Sequence, residues 1–264
     1  MVRGISALVL LLLVWTTDDP SVPATLRVLT YNIHHGEGTD GRFDLSRTAG
    51  LITTAEPDLV ALQEVDQGTD RAGGVDQVAE LARLTSLHAA FGKAMDYGGG
   101  AYGVAVLSRW PLSRVETHPL PGAPDREPRV ALTVSVKAGE RGPVLQFTST
   151  HLDQGRDQGS RLEQAMSLNR LLVGDNDRAA ILAGDMNARR DTDVMTILEG
   201  LWTNASASDS SPMSVDERPR LRGDYVLCRP MDEWRVVESR VIDEPVASDH
   251  RPVLVVLEWT GIRK

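Results

Sequence analysis

With 264 residues, 41% of them hydrophobic and 25% charged, the chain has enough apolar material to bury a core without help from disulfides. A net charge of −9 and the lack of any Lys or Arg run exclude a basic nucleic-acid tail and leave only a local patch to serve that purpose. The single cysteine, Cys228, excludes an intrachain disulfide and, inside the apolar run Tyr225 to Cys228, reads as a buried thiol rather than a nucleophile.

The N-terminus reads as an export signal. Arg3 supplies a positive start and Ile5 to Trp15 an apolar segment about half as long as a membrane-spanning helix. Val22-Pro23-Ala24 then ends in a small residue suited to cleavage. Residues 1–24 are therefore expected to be a signal peptide and 25–264 a single domain working outside the cytoplasm, secreted or periplasmic. An uncleaved N-terminal membrane anchor is the alternative. No cysteine follows the apolar segment, which excludes a lipoprotein anchor.

Short apolar runs then alternate with helical patterns. Leu26 to Ile33 predicts a strand and Asp44 to Thr54 a helix capped by Asp44, with Pro57 just beyond its end. Leu59 to Gln63 predicts a short buried strand, and Val75 to Leu84 a helix with Val75, Val78, Leu81 and Leu84 mostly on one face. Strands follow at Val104 to Leu107, Val115 to Leu120, Val130 to Val136 and Val144 to Thr150. A strong helix covers Gly159 to Val173, a strand Ile181 to Ala183, and a short helix Asp193 to Leu198. Thr203 to Arg222 reads as a long surface loop, and Tyr225 to Cys228, Trp234 to Ser239 and Val253 to Trp259 as closing strands. Many strands with interspersed helices and no internal boundary indicate an α/β sandwich.

Chemistry-bearing residues gather where these strands end, the place where sheets present functional groups on loops. Asn32 lies just inside the end of an apolar strand, and Glu64 follows another; buried polar groups there need partners or a cation. Gly103 permits close backbone approach beside Tyr102, whose hydroxyl could reach a phosphate oxygen. His151 and Asp153 end a further strand. Gly184 allows a sharp turn before Asp185 and Asn187, which share one face if the backbone stays extended. Ser248-Asp249-His250 leads into the final strand. Each cluster alone is as well explained by a rim salt bridge or a satisfied core histidine. Together they are rich in carboxylates and carboxamides, a donor set for a hard cation such as Mg²⁺, with Mn²⁺ as a substitute, rather than structural zinc. No G-x-S-x-G elbow, Walker loop, dinucleotide fingerprint or H-E-x-x-H motif is present.

The ordered set Tyr31-Asn32, Gln63-Glu64, Tyr102-Gly103, Thr150-His151-Leu152, Gly184-Asp185-x-Asn187, Asp224-Tyr225 and Ser248-Asp249-His250 resembles the endonuclease/exonuclease/phosphatase superfamily. The resemblance spans residues 26 to 259. It implies a four-layer α-β-β-α sandwich of two packed mixed sheets and a metal-dependent hydrolase of phosphate esters. In that reading Glu64 is the principal metal ligand, with Asn32 and Asp249 near the ion. Asp185 orients or deprotonates the attacking water, and Asn187 holds the water or the phosphate. His151 and His250 bind the phosphate and either one shuttles protons, Asp224 orients His250, and Tyr102 contacts a phosphate oxygen. Two positions depart from the pattern. Gly223 replaces a bulky aliphatic before Asp224, and His34 stands where some relatives carry a metal-binding Asp, so a ligand, a phosphate contact and, preferred, a structural residue or one supporting the ligands from behind remain open.

His88 and His118 read as ordinary strand and loop residues. Arg126 and Arg129 precede a strand, Arg156, Arg189, Arg190, Arg218, Arg220 and Arg222 adjoin these motifs, and together they would form either a basic rim or a set of surface ion pairs. The expected substrate is a nucleic acid, a phospholipid headgroup or inositol phosphate, or a small phosphodiester. No protein partner is implied, and a monomer is expected. A silent binding module on the same fold is the reading from another class, disfavoured because all six of Glu64, His151, Asp185, Asn187, Asp249 and His250 are present.

Overall fold

In the computed structural model, residues 25–139, 143–173, 178–206 and 223–261 are described. The expected signal peptide, most of the predicted Thr203 to Arg222 loop and its three arginines lie outside the described residues.

The first strand, β1 (Thr25–Asn32), pairs in parallel with β2 (Leu59–Gln67). A parallel pair needs a crossover, and α1 (Leu45–Ala55) supplies it. Asp44 caps this helix by accepting the Ser46 N–H, and Glu56 ends it in a left-handed conformation before Pro57. α2 (Gln77–Thr85) starts the same way, with Asp76 accepting the Ala79 N–H. β3 (His88–Tyr97), β4 (Gly100–Ser108), β5 (Leu112–Pro119), β6 (Val130–Lys137) and β7 (Val144–His151) follow. α3 (Gly159–Val173) crosses from β7 to its parallel neighbour β8 (Ala180–Asp185). The chain continues through α4 (Asp193–Glu199), β9 (Thr203–Asn204), β10 (Asp224–Arg229), β11 (Trp234–Val241) and β12 (Val253–Trp259).

Two sheets result, ordered β11-β12-β1-β2-β4-β3 and β5-β6-β7-β8-β10-β9. Side chains alternate along each strand, so β1 sends Val28 between the sheets and Leu29 outward, and β8 sends Ile181 and Ala183 between them and Leu182 outward. Phe147, Leu132, Val106 and Val255 fill the space between the sheets. Helix α1, through Ile52, and α2, through Leu81, cover one outer face. Helix α3, through Leu168, and α4, through Leu198, cover the other. The expected four-layer α-β-β-α sandwich is the observed one, and strands buried on both faces explain the unbroken apolar runs.

The strand β3 was not expected. Its sequence HAAFGKAMDY lacks β-branched residues, and it holds its place at the sheet edge by pairing with β4. Gly92 is required there, because a Cβ would lie 2.8 Å from Leu132 Cβ of the facing sheet. β2 is also longer than its apolar run. It continues to Gln67 past a bulge between Leu62 and Val65, so Glu64 sits in that bulge rather than at the strand end.

Phe147 is fully buried between the sheets. Phe147→Ala should cost about 3–5 kcal/mol, read as a lower denaturant midpoint. Cys228, its thiol pushed up to about 12 by burial, should react with a thiol reagent only as the chain unfolds.

Candidate active site

Both parallel pairs end at the same edge of the sandwich. Asn32 lies opposite Gln63 in one, and His151 opposite Asp185 in the other. Asp224 begins β10 directly across from Asp185, and Ser248-Asp249-His250 leads into β12 beside β1. The Ser248 hydroxyl donates to the Asn32 carbonyl at 2.8 Å and ties that segment to β1. Open sheets bind ligands in this way, in the crevice beyond their parallel strand ends.

The centre of the cluster is Asp185, whose carboxylate is nearly inaccessible to solvent. Its Oδ2 lies 3.5 Å from His151 Nε2 and 3.8 Å from His250 Nε2. Burial first, and then the Asp224 carboxylate, push Asp185 up to about 6, against the pull of His250 and of hydrogen bonds from the Asn187 N–H and the Asn32 side chain. A carboxylate near neutrality is suited to general base work.

The two imidazoles are driven to opposite charge states. His151 is buried, and Arg129 Nη1 donates to its Nδ1 at 2.9 Å. Since guanidinium is always a donor, the ring proton must sit on Nε2, facing Asp185. Burial, then Arg129 and His250, hold His151 well below the usual histidine range. Burial also opposes charge on His250, but Asp224, hydrogen-bonded to its Nδ1 at 2.9 Å, with Asp185 and Asp249 beyond, raises it to about 10. His250 is therefore an imidazolium and His151 a neutral donor. Arg129 holds Nδ1 of His151, which leaves Nε2 to face Asp185, and Asp224 holds Nδ1 of His250 in the same way.

Arg129 is thus not a rim residue: it is buried, with Glu127 Oε1 2.8 Å from the same Nη1. Tyr102 completes this line. Its hydroxyl bonds Glu127, and burial, then Glu64 and Glu127, push it far above the usual phenol range, so it stays a neutral donor. The Arg71 guanidinium, paired with Asp66, lies 5.5 Å from the Tyr102 ring centroid and 4.5 Å from that of Tyr97.

On the other side of Asp185 stands Glu64, accepting from Asn32 Nδ2 at 2.9 Å. Asn32 was expected near the ion; it turns its amide nitrogen, not its oxygen, to the carboxylates and orients them. His34, His35 and Glu64 each offer one ligand atom within 4.8 Å of the others. Asp249, expected as a ligand, belongs to neither this group nor the Asp185, Asp224 and His250 group of the same span. In the latter, Asp224 Oδ2 is already engaged by His250 Nδ1 at 2.9 Å, whereas Glu64 is tied to neither imidazole of its group among the described residues. Glu64 with its neighbours therefore fits a divalent cation best. His34 stands beside Glu64, a position compatible with a structural or supporting role as well as with a ligand, and His35 was not singled out at all. The pairing of two adjacent histidines after a buried Asn was the available signal.

The backbone is bent to make these contacts. Four of the seven non-glycine residues with positive φ among the described residues fall here: His34 and His35 at 44°, Glu64 at 55° and Asn187 at 45°. Such strain persists only where surroundings enforce it. Asn187 therefore does not continue an extended strand. It folds back, its N–H bonding Asp185 Oδ1 at 2.8 Å, and puts its amide 3.0 Å from both His151 Nε2 and the Leu152 carbonyl. Gly223, the departure before Asp224, is explained too: a Cβ would lie 2.9 Å from Asp185 Oδ1. The surrounding arginines are largely paired with acids, Arg126 with Asp157, Arg189 with Asp191 and Arg190 with Glu199. His118 lies on β5, as the predicted strand has it, beside Glu116, and His88 opens the unexpected strand β3.

A profile of the Endonuclease/Exonuclease/phosphatase family matches residues 29–250. An uncharacterized protein of Escherichia coli (strain K12), YbhP, is 25% identical over 260 residues, 89% of this chain and 97% of its own. Among solved structures, an endonuclease/exonuclease/phosphatase from Beutenbergia cavernae DSM 12333 superposes with a TM-score of 0.75 at 24% identity, over 90% of this chain and 72% of that one. A mannosyl-6-phosphatase of Bacteroides thetaiotaomicron VPI-5482 does so with a TM-score of 0.69 at 16% identity, over 89% and 100% respectively. At these identities the solved structures speak to the fold.

The opposed charge states can be read directly. In the metal-free protein, imidazole NMR signals should show His250 protonated well above neutral pH, with a midpoint toward about 10, and His151 titrating well below the ordinary histidine range. Asp224→Asn should lower the His250 midpoint and leave His151 neutral; coincident midpoints near the ordinary histidine value would contradict the assignment.

Proposed function

The chain belongs to the endonuclease/exonuclease/phosphatase family, and we propose that it hydrolyses phosphate esters by in-line attack of water, assisted by a divalent cation at Glu64. The observation that carries this reading is Asp185, a buried carboxylate raised to about 6 and flanked by one charged and one neutral imidazole. A group pair separated in this way divides acid and base roles.

When bound, the cation, Mg²⁺ or Mn²⁺, would neutralise charge developing on the phosphoryl oxygens. Asp185, ionised above about pH 6, takes the proton of the attacking water. His250, kept positive by Asp224, and His151, kept neutral by Arg129, direct their Nε2–H groups at phosphoryl oxygens, and Tyr102, its hydroxyl held by Glu127, lines the same arm of the site. Asn187 holds the water or phosphate from the Leu152 side. No nucleophilic Ser or Cys is needed.

The net charge of −9 and the acid-paired arginines favour a small phosphodiester or a phospholipid headgroup over polymeric nucleic acid. The resemblance of the fold to a mannosyl-6-phosphatase keeps phosphate monoesters on the panel. The N-terminal signal pattern supports action outside the cytoplasm.

The test is turnover of bis-p-nitrophenyl phosphate, p-nitrophenyl phosphate, a sugar phosphate, sphingomyelin, inositol phosphates, plasmid DNA and RNA with Mg²⁺, Mn²⁺ or EDTA. EDTA-sensitive hydrolysis is expected, with Asp185→Asn lowering kcat by about 10²–10⁴ while KM changes little. Cleavage of none of them with either metal would point to a silent binding module instead.

A further inference from the structure

The cation at Glu64 has more than oxygen around it. We propose that His34, His35 and Glu64 form a mixed imidazole–carboxylate site that selects a first-row transition dication, of the Mn²⁺ and Zn²⁺ class, over Mg²⁺. This inference deepens the proposed function and rests on its reading of Glu64 as the cation-binding carboxylate.

Four observations carry it. The three residues offer ligand atoms within 4.8 Å of one another. Donors about 2.1 Å from a shared ion stand about 3–3.5 Å apart, so closing on an ion takes only a small side-chain movement.

Secondly, the tautomer of His34 suits a ligand. Its Nδ1 lies 3.1 Å from the Glu37 carbonyl oxygen, which can only accept. Nδ1 must carry the proton, and Nε2 is left with a lone pair. A backbone carbonyl behind the distal nitrogen is the usual support of a metal-bound histidine.

Thirdly, His35 holds an unsatisfied nitrogen. Its side chain is 11% exposed, its Nε2 faces the Glu37 carboxylate at 3.6 Å, and its Nδ1 is buried with no hydrogen-bond partner among the described residues. A buried ring nitrogen without a partner is costly, and a metal ion would satisfy it.

Finally, the backbone is held in the conformation that presents both rings. His34 and His35 both sit at φ of 44°, a left-handed turn that two successive non-glycine residues rarely adopt. The Asn32 side-chain oxygen accepts the His34 N–H at 3.0 Å, and Gln77 Nε2 donates to the His35 carbonyl at 2.6 Å, pinning the turn from both sides. Two imidazoles and one carboxylate are donors for transition ions, whereas Mg²⁺ prefers oxygen ligands and retained water.

The experiment uses the metal-free protein titrated with Mn²⁺ in competition with Mg²⁺, followed by electron spin resonance with echo-envelope detection of coupled nitrogen. Mn²⁺ should bind at least about tenfold more tightly than Mg²⁺ and show imidazole nitrogen coupling. A His34→Asn/His35→Asn double variant should lose the coupling and the preference. Asn tolerates the left-handed turn, and circular dichroism checks the fold. A His151→Gln/His250→Gln variant should keep both, which decides the matter if the first variant does not fold. Absence of nitrogen coupling in the unmodified protein, or coupling that depends on His151 and His250, overturns the proposal. Turnover of the substrate panel without nitrogen coupling would sink this site alone, whereas nitrogen-coupled Mn²⁺ without turnover would sink the phosphoesterase reading alone.

Discussion

A carboxylate shut away from water between two sheets must be matched by its neighbours, and the arrangement around Asp185 follows from that requirement. Its partners come from four separate elements: His151 from β7, Asn187 from the turn beyond β8, Asp224 from β10, and His250 from the segment before β12. None of these could be placed independently. The parallel register that sets His151 opposite Asp185 also fixes where β10 starts, and β10 brings the acid that charges His250.

The same crowding explains residues that carry no functional group. A Cβ on Gly184 would overlap the Thr150 carbonyl, and one on Gly223 would press on Asp185. Between the two sheets, Gln63 and Ser149 meet at 3.4 Å, and Ser149 donates to the Leu62 carbonyl at 3.2 Å. This small polar bridge lies just beneath the site and couples the strand of Glu64 to the strand of His151. The positive φ angles at Glu64 and Asn187 belong to the same economy, since each turns a side chain off its strand and into the crevice.

Electrostatically the site is organised as two arms. In one, Tyr102, Glu127, Arg129 and His151 run from neutral phenol to neutral imidazole. In the other, Asp224 supports a charged His250. Asp185 stands between them, and Glu64 with its histidine neighbours lies beyond Asn32, which donates to both carboxylates. His250 and Arg129 thus bring positive charge to the crevice, while Arg126 and Arg189 outside it pair with neighbouring acids.

Local physics was legible in the chain itself. Asp44 before a periodic run specifies a cap, apolar runs such as Leu59 to Leu62 specify strands covered on both faces, and Asn32, Glu64, His151, Asp185 and His250 stand out because polar groups beside apolar strands need a partner, whereas Asp224 was singled out only by the family resemblance. What stayed hidden depends on distances between segments far apart in sequence. β3 exists because β4 offers an edge and Gly92 lets it pass Leu132. The charge states of His151 and His250 depend on Arg129 and Asp224, 22 and 26 residues away. The place of His34 and His35 beside Glu64 depends on a parallel pairing across some thirty residues. Residue type and periodicity determine which groups the chain must satisfy, and only the packing of the two sheets decides which group satisfies which, because hydrogen bonds and pKa shifts act over a few ångströms of space rather than along the chain.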